Sequence, residues 1–553
     1  MSPQNSQAAN ERPCPCEADV GGAEMLAAGN VLLSSKKPSS GELLFKPWLV
    51  QRGSGPHINS LVYASDMKWD TIPSDISLRD NGLVISDTEG ERRFGINVRW
   101  NVEGFGAGYI LADNGGEFYE LPGEGKTRTL NLNYELAASR HARNSLRLEM
   151  HREHGWRPSR ETRAYLDLSA DLMNDARKLN RHSEACAIKA QRALYYAMWG
   201  GEMLELDHAR WKMVRRSPDR PVFIGCDARQ YYQVDNEPFM ESFTKLFDYA
   251  NVSFVVNGDR QMNELEPREG VHDLELRDSL IRRLNDQDIQ VGARALFWFH
   301  KWVTPDWLRS KSFPELKKYV ESHTRALVSH FGDRVYAWEI VNEFHDWANA
   351  VGVTPEQAVE LTGLACDVAR DSAPNVKLLI NNCCPFAEYV QMREWSSGKA
   401  RYPQRSPWEF TRDLIDAGVD FDLIGQQMYF PWRDLQDSII MLERYQSFDK
   451  KVQLSEVGTS AGPLQKKILT GEDEIGREPY IWHRPWDEEL QADWLEGIYS
   501  LAYAADHVEA VNWFDHVDTN SYMQNGGIID DSTWRWKPAA HRLQNLKQQW
   551  RKS

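Results

Sequence analysis

Two glutamates lie at the ends of apolar, β-branched runs, where a strand would present a carboxylate to a cleft. Glu343 closes RVYAWEIVNE, and Glu456 lies near the end of KVQLSEVG. Either dipeptide alone, Asn342-Glu343 or Ser455-Glu456, is as ordinary in a solvated loop as in a site, so the information is in their joint placement. Two carboxylates facing each other across a cleft suit cleavage of a glycosidic bond. One, protonated, gives a proton to the leaving oxygen while the other attacks or stabilises the anomeric carbon. Mutual repulsion and partial burial raise the pKa of one and so sort the roles. A separation of about 5–5.5 Å would allow a covalent glycosyl-enzyme and retention, and roughly 6.5–9.5 Å would mean inversion through a water.

The elements that must hold these glutamates are legible from about residue 220 onward. Eight β-rich runs, PVFIGCD, VSFVVN, VGARALFWF, VYAWEIVNE, VKLLINN, FDLIGQQMYF, KVQLSEVG and VEAVNWFDH, alternate with amphipathic segments such as LRDSLIRRLNDQD, PELKKYVESHTRALVSHFG and PEQAVELTGLACDVARDS. That alternation predicts an α/β fold, a (β/α)8 TIM barrel over 217–550, with the chemistry at the C-terminal strand ends. Glu343 and Glu456 then end the fourth and seventh strands. Upstream, residues 1–40 are rich in Ser, Gly, Pro and Ala without periodicity and are expected to be a disordered tail. Short alternating runs over 41–155, among them RTLNLNYEL and SLRLEMHRE, predict an antiparallel β-sandwich. It is like a carbohydrate-binding module by architecture and position, and bracing the barrel is an equal reading. Helical spacing over 156–216, broken at Gly200-Gly201, predicts a helical linker.

The barrel segment resembles glycoside hydrolase family 10, the retaining endo-β-1,4-xylanase family. The family motif Trp-Asp-Val-Val-Asn-Glu is similar to Trp338-Glu339-Ile340-Val341-Asn342-Glu343, and Thr-Glu-Leu-Asp is similar to Ser455-Glu456-Val457-Gly458. LEPREG, VTPDWL, KLLINN, LIGQQ and RWKPAAHRL follow in family order, so the similarity runs over about 220–545. The resemblance implies that Glu343 is the acid/base, that Glu456 is the nucleophile and that Asn342 bonds the sugar 2-hydroxyl. It also implies that Gln427, Tyr429, Trp298 and Trp513 line the sugar site. Departures sit in the sugar-gripping shell. Gln261 stands where the family has a lysine, Arg294 where it has its first strand-3 histidine, with His300 displaced by one from the second, and Tyr429 where it has Gln-x-His.

Composition bounds the rest. The chain has 553 residues, 41% apolar and 26% charged, with a net charge of −16 that disfavours nucleic acid and anionic membrane as partners. No run is long enough for a membrane span, and the N-terminus lacks a basic region followed by an apolar core, so a cytoplasmic chain is expected, or a secreted one had a leader been removed. The seven cysteines read as thiols, and neither Cys-x-x-Cys nor His-Glu-x-x-His occurs, so no metal or organic cofactor is expected. GEGKT at 123–127 reads as a hairpin turn. His345 is expected on an exposed loop, and Asp515, His516 and Asp518 either touch substrate or cap their loop. Tryptophans in the predicted loops, Trp302, Trp307, Trp347, Trp432, Trp482, Trp486, Trp534 and Trp536, suit stacking on sugar faces or core packing.

The expected function is therefore hydrolysis of a β-1,4-linked polysaccharide or oligosaccharide, xylan first, by double displacement. One alternative is another β-linked or uronic-acid-bearing glycan, its carboxylate held by the planar fork of Arg294. The other is a non-catalytic carbohydrate-binding protein.

Overall fold

The computed structural model describes residues 41–56, 61–79, 82–216, 222–257, 263–396, 398–462, 481–523 and 525–552. The tail expected over 1–40 and Gln261 both lie outside them. Besides the two-residue strands Gly55–Pro56 and Thr71–Ile72, the described chain opens with β1 (Glu42–Lys46), β2 (Tyr63–Ser65), β3 (Asp75–Arg79), β4 (Gly82–Asp87), β5 (Gly95–Val102), β6 (Gly106–Ala112) and β7 (Thr127–Asn131). One sheet runs β3–β4–β1–β7, antiparallel except for the parallel β1–β7 pair, and the other is built on β6–β5–β2.

The β reading of this region ends too late. From Leu132 the chain is helical: α1 (Leu132–Glu153) takes the second half of RTLNLNYEL, whose first half is in β7, and all of SLRLEMHRE, and α2 (Arg160–Arg177) and α3 (Glu184–Met213) follow. Leu132, Leu136, Ala137, Arg140, Arg143, Asn144, Arg147 and His151 are buried at three- and four-residue spacing, and Asn131 caps the first turn by accepting from Tyr134 N. Three of those eight buried residues, Arg140, Arg143 and Arg147, are charged, and so the face did not register as an apolar helical stripe.

Each of the eight predicted barrel runs overlaps a strand, the second only over Val252-Ser253 because that strand begins and ends earlier: β8 (Phe223–Asp227), β9 (Tyr249–Ser253), β10 (Gln290–Arg294), β11 (Ala337–Asn342), β12 (Lys377–Asn382), β13 (Leu423–Tyr429), β14 (Lys451–Gly458) and, beyond the two-residue β15 (Ile481–Trp482), β16 (Val508–Trp513). They form a closed barrel in which β16 pairs in parallel with β8. Helices α4 (Glu275–Asn285), α5 (Phe313–Phe331), α6 (Leu435–Glu443) and α7 (Glu488–Ala504) belong to the surrounding layer. The main apolar core lies between strands and helices, while Ala337, Leu379 and Leu423 form a small separate cluster with Tyr336. No helix among the described residues is long and apolar enough to cross a membrane.

The sandwich packs against the barrel. β15, which follows the seventh barrel strand, pairs antiparallel with β6, and Tyr109 N donates to Trp432 O at 2.7 Å. A buried charge network crosses the seam: Arg140 pairs with Asp434 and with Asp437 at 3.0 Å, and Arg143 with Asp437 at 3.1 Å. Arg147 pairs with Glu205 at 2.6 Å and with Glu443. Trp432, Trp482 and Trp486 pack into this core.

Candidate active site

Strict alternation would turn Glu456 away from the barrel mouth. Val452, Leu454 and Val457 of β14 belong to the helix-facing core, so Gln453 and Ser455 take the opposite side. The register between β14 and β16 shifts between Leu454 and Val457, and that between β13 and β14 shifts at Gln426/Gln427, leaving Gln427 opposite Glu456. Such bulges re-aim a side chain without ending the strand, and here two consecutive residues join one polar network. Ser455 Oγ donates to Asn381 Oδ1 at 2.5 Å, and Glu456 meets Asn381 Nδ2 at 3.4 Å. β11 has a matching irregularity between Glu339 and Val341 against β12. Glu343 follows with φ at 58°, its N–H donating to Asn381 O at 2.9 Å. A non-glycine residue in the left-handed region is a strained placement that the surrounding structure must enforce.

The two glutamates share one hydrogen-bonded chain. Gln427 Nε2 donates to Glu343 Oε1 at 2.9 Å and to Asn342 Oδ1 at 3.1 Å. Asn381 Nδ2 donates to the same Asn342 oxygen at 3.1 Å and reaches Glu456 Oε1. Two donors on Asn342 Oδ1 fix its amide orientation and turn its NH2 away from them. Trp298 Nε1 donates to Glu343 Oε2 at 2.8 Å, so both oxygens of this carboxylate accept from neutral donors. Glu456 is held differently. Arg294 pairs with its Oε1, and the Tyr429 hydroxyl donates to its Oε2.

These surroundings separate the two carboxyls. Burial, and then the charge of Glu456, push Glu343 up to about 7. Burial also raises Glu456, with the Arg294 cation and the Tyr429 hydroxyl acting against it. Glu339, below them on β11, is driven up to about 8 chiefly by burial. Arg294 is therefore the cation of a carboxylate cluster. It meets Asp227 at 3.1 Å besides Glu456, and the Glu339 carboxyl lies 3.7 Å from its Nε, so both terminal nitrogens of the fork are already engaged.

Other expected site residues fall elsewhere. Trp513 is fully buried with its indole N–H on Gly526 O at 3.0 Å and its ring 6.3 Å from Trp494 of α7, so it faces the helical layer. The next residue, Phe514, takes the site-facing place, with the Arg229 and Arg294 guanidiniums 4.2 and 5.1 Å from its ring and Tyr429 edge-on at 5.8 Å. His300 packs between Trp298 and Trp302, with centroids at 5.1 and 4.3 Å. His345 is wholly buried, bonded to the Tyr389 hydroxyl at 2.8 Å and to Cys383 N at 3.2 Å, and not on an exposed loop. Asp515, His516 and Asp518 are anchors: Asp515 accepts from Arg229 Nε at 2.9 Å, His516 meets Ser242 at 2.8 Å, and Asp518 pairs with Lys537 at 2.6 Å. Asn381, Asp227 and Arg229 had not been singled out. The only trace of Asn381 was a polar pair, Asn381-Asn382, ending an apolar strand.

The sequence profile described as glycosyl hydrolase family 10 matches residues 224–545, more than half of the chain. This chain belongs to that family. Endo-1,4-beta-xylanase C of Phanerodontia chrysosporium is 30% identical over 175 residues, 30% of this chain and 39% of that protein. Endo-1,4-beta-xylanase A of the same organism is 27% identical over 176 residues and is matched over 38% of its length, so the chain spans about two fifths of these relatives. Endo-1,4-beta-xylanase B of Paenibacillus barcinonensis is 23% identical over 301 residues, 51% of this chain and 82% of the relative. Among solved structures, native xylanase 10B from Thermotoga maritima aligns at 19% identity and TM-score 0.46, over 62% of this chain and 98% of that one. Arg294 and Tyr429, the two side chains that the resemblance expected at histidine positions, both grip Glu456.

Proposed function

We propose that this chain is a retaining glycoside hydrolase acting on β-1,4-linked xylan-type polysaccharide or oligosaccharide by double displacement. The observation that carries the reading is the unequal setting of the two glutamates. Glu343 has neutral donors on both oxygens and is pushed up to about 7, as suits a proton donor near neutrality. Glu456 has a guanidinium and a phenol O–H to favour its ionised form, as suits a nucleophile. Family membership and relatives named endo-1,4-beta-xylanase support the substrate class.

In the first step Glu343 gives its proton to the glycosidic oxygen while a Glu456 oxygen bonds to the anomeric carbon, expelling the leaving alcohol. In the second step Glu343, now a carboxylate, takes a proton from water, and the water oxygen displaces Glu456 at the same carbon. Asn342, its oxygen held by Gln427 and Asn381, keeps its NH2 for the sugar 2-hydroxyl. Since both terminal nitrogens of Arg294 are engaged, by Asp227 and by Glu456, neutral glycans are favoured over acidic ones.

The test is reducing-sugar release from xylans, glucans, mannans and uronic-acid-bearing glycans by wild type, Glu343→Gln and Glu456→Gln, with the anomer of the first product read by NMR. Cleavage of xylan to the β-anomer, with both variants reduced by about 10²–10⁴-fold or more, is expected. Binding of a glycan without cleavage would instead make this a carbohydrate-binding protein.

A further inference from the structure

Away from the two glutamates, three potential ligands converge at the back of the barrel wall. Glu266 and His272 lie on the loop between β9 and α4, and His323 lies on α5. Glu266 Oε2 is 2.9 Å from His323 Nδ1 and 3.8 Å from His272 Nε2, and the two imidazole nitrogens are 3.3 Å apart. A tetrahedral cation with ligands at about 2.0–2.1 Å spaces its donor atoms roughly 3.3–3.4 Å apart. The triangle brackets that spacing.

Hydrogen bonding alone serves this cluster poorly. His323 Nδ1 faces Glu266 Oε2, His272 Nε2 and the Tyr319 hydroxyl, the last at 3.3 Å, yet it has either one hydrogen or one lone pair. His323 Nε2 is buried with no hydrogen-bond partner, so the polar contacts of this ring run through Nδ1. A cation among the three would engage one lone pair from each at once. The carboxylate is already oriented for that: Gly270 N donates to Glu266 Oε1 at 2.6 Å, leaving Oε2 turned to the histidines, where Tyr319 O–H also reaches it at 2.7 Å. Such outer partners are what aim metal ligands. Glu266 and His323 are buried, while His272 keeps 14% of its side chain exposed, which supplies an entry path.

We propose that Glu266, His272 and His323 form a binding site for a first-row divalent cation of the zinc type, which clamps the loop after β9 to helix α5. Two imidazoles and one carboxylate are a donor set suited to Zn2+, Co2+ or Ni2+ and poor for Ca2+ or Mg2+. A water takes the fourth position, with Tyr319 kept as the outer partner of Glu266. The clamp bears on the wall of the candidate active site, because the His323 ring packs 5.5 Å from Phe297, the neighbour of the Trp298 that holds Glu343. No spacing motif announced this set, since its members come from a loop and a separate helix.

The experiment uses the full chain, stripped with a chelator and titrated with Co2+ and with Zn2+. The readouts are the visible d–d bands of tetrahedral Co2+, Zn2+ stoichiometry by calorimetry, and thermal unfolding with and without Zn2+. One equivalent of tetrahedral Co2+, displaced by Zn2+, and a Zn2+-dependent rise in Tm are expected. His272→Gln and Glu266→Gln, checked for folding by circular dichroism, are expected to abolish all three signals. His330→Gln, on the same helix outside the cluster, is expected to leave them unchanged. Binding that persists in His272→Gln overturns the proposal. So does a wild-type Co2+ spectrum without the tetrahedral bands, an outcome independent of whether any variant folds.

Discussion

Replacing Arg294 by glutamine removes the cation that faces Glu456 and leaves Asp227 and Glu339 without it as well. Two unit charges about 4 Å apart in an effective dielectric of about 20 interact by about 4 kcal/mol. At roughly 1.4 kcal/mol per pKa unit, losing that attraction lifts the Glu456 pKa by about 2–3, from a value that burial has already raised. A nucleophile must be ionised, so activity falls as pH drops through its pKa, and a raised pKa moves the acid limb of the profile to higher pH. The assay is kcat/KM against pH on an aryl β-xyloside whose good leaving group lessens the need for proton donation by Glu343, so that the acid limb reports Glu456. We expect the limb of Arg294→Gln to move up by about 2 pH units. Arg294→Lys should fall between, since it keeps the charge but not the fork that meets several carboxylates at once. An acid limb in folded Arg294→Gln that coincides with the wild-type limb would falsify the claim that this arginine keeps the nucleophile ionised.

Three further outcomes follow from the same contacts. Trp298→Phe removes a hydrogen bond to the Glu343 carboxylate, an interaction of about 1.5–3 kcal/mol; the Glu343 pKa then rises by about 1–2 and the alkaline limb of kcat moves to higher pH by that amount. Glu339 is driven up to about 8, so the folded chain holds a proton that the unfolded chain releases above its ordinary carboxylate pKa; stability to urea should decline by a few kcal/mol, on the order of the linkage, as pH rises from about 5 to about 8, and Glu339→Gln should flatten that decline. Arg147→Met leaves the buried Glu205 without its main cation, which should cost about 3–5 kcal/mol in chemical denaturation, and adding Glu205→Leu should restore most of it.

The eight barrel strands were legible because strands covered on both faces need near-continuous apolar runs, and the helices between them need a 3.6-residue stripe. Glu343 and Glu456 were legible for the same reason: a carboxylate at the end of such a run is conspicuous, and the barrel dictates that strand ends meet at one mouth. The helix from Leu132 was misread because its buried face holds Arg140, Arg143 and Arg147, whose partners Asp434, Asp437 and Glu443 lie some 300 positions away in the chain. Charge looks like surface until its buried partner is known.

What the sequence determined by itself is the set of elements and the residue types at their ends, since periodicity and strand-end chemistry are local properties. Only the tertiary structure decided which of those residues meet. The bulge that turns Glu456 to the mouth, the side of β16 on which Trp513 and Phe514 fall, the three carboxyl groups around Arg294 and the gathering of Glu266, His272 and His323 all depend on register and on contacts between distant segments. The physical reason is that a one-residue change in strand register moves a side chain to the opposite face without altering the local pattern that made the strand.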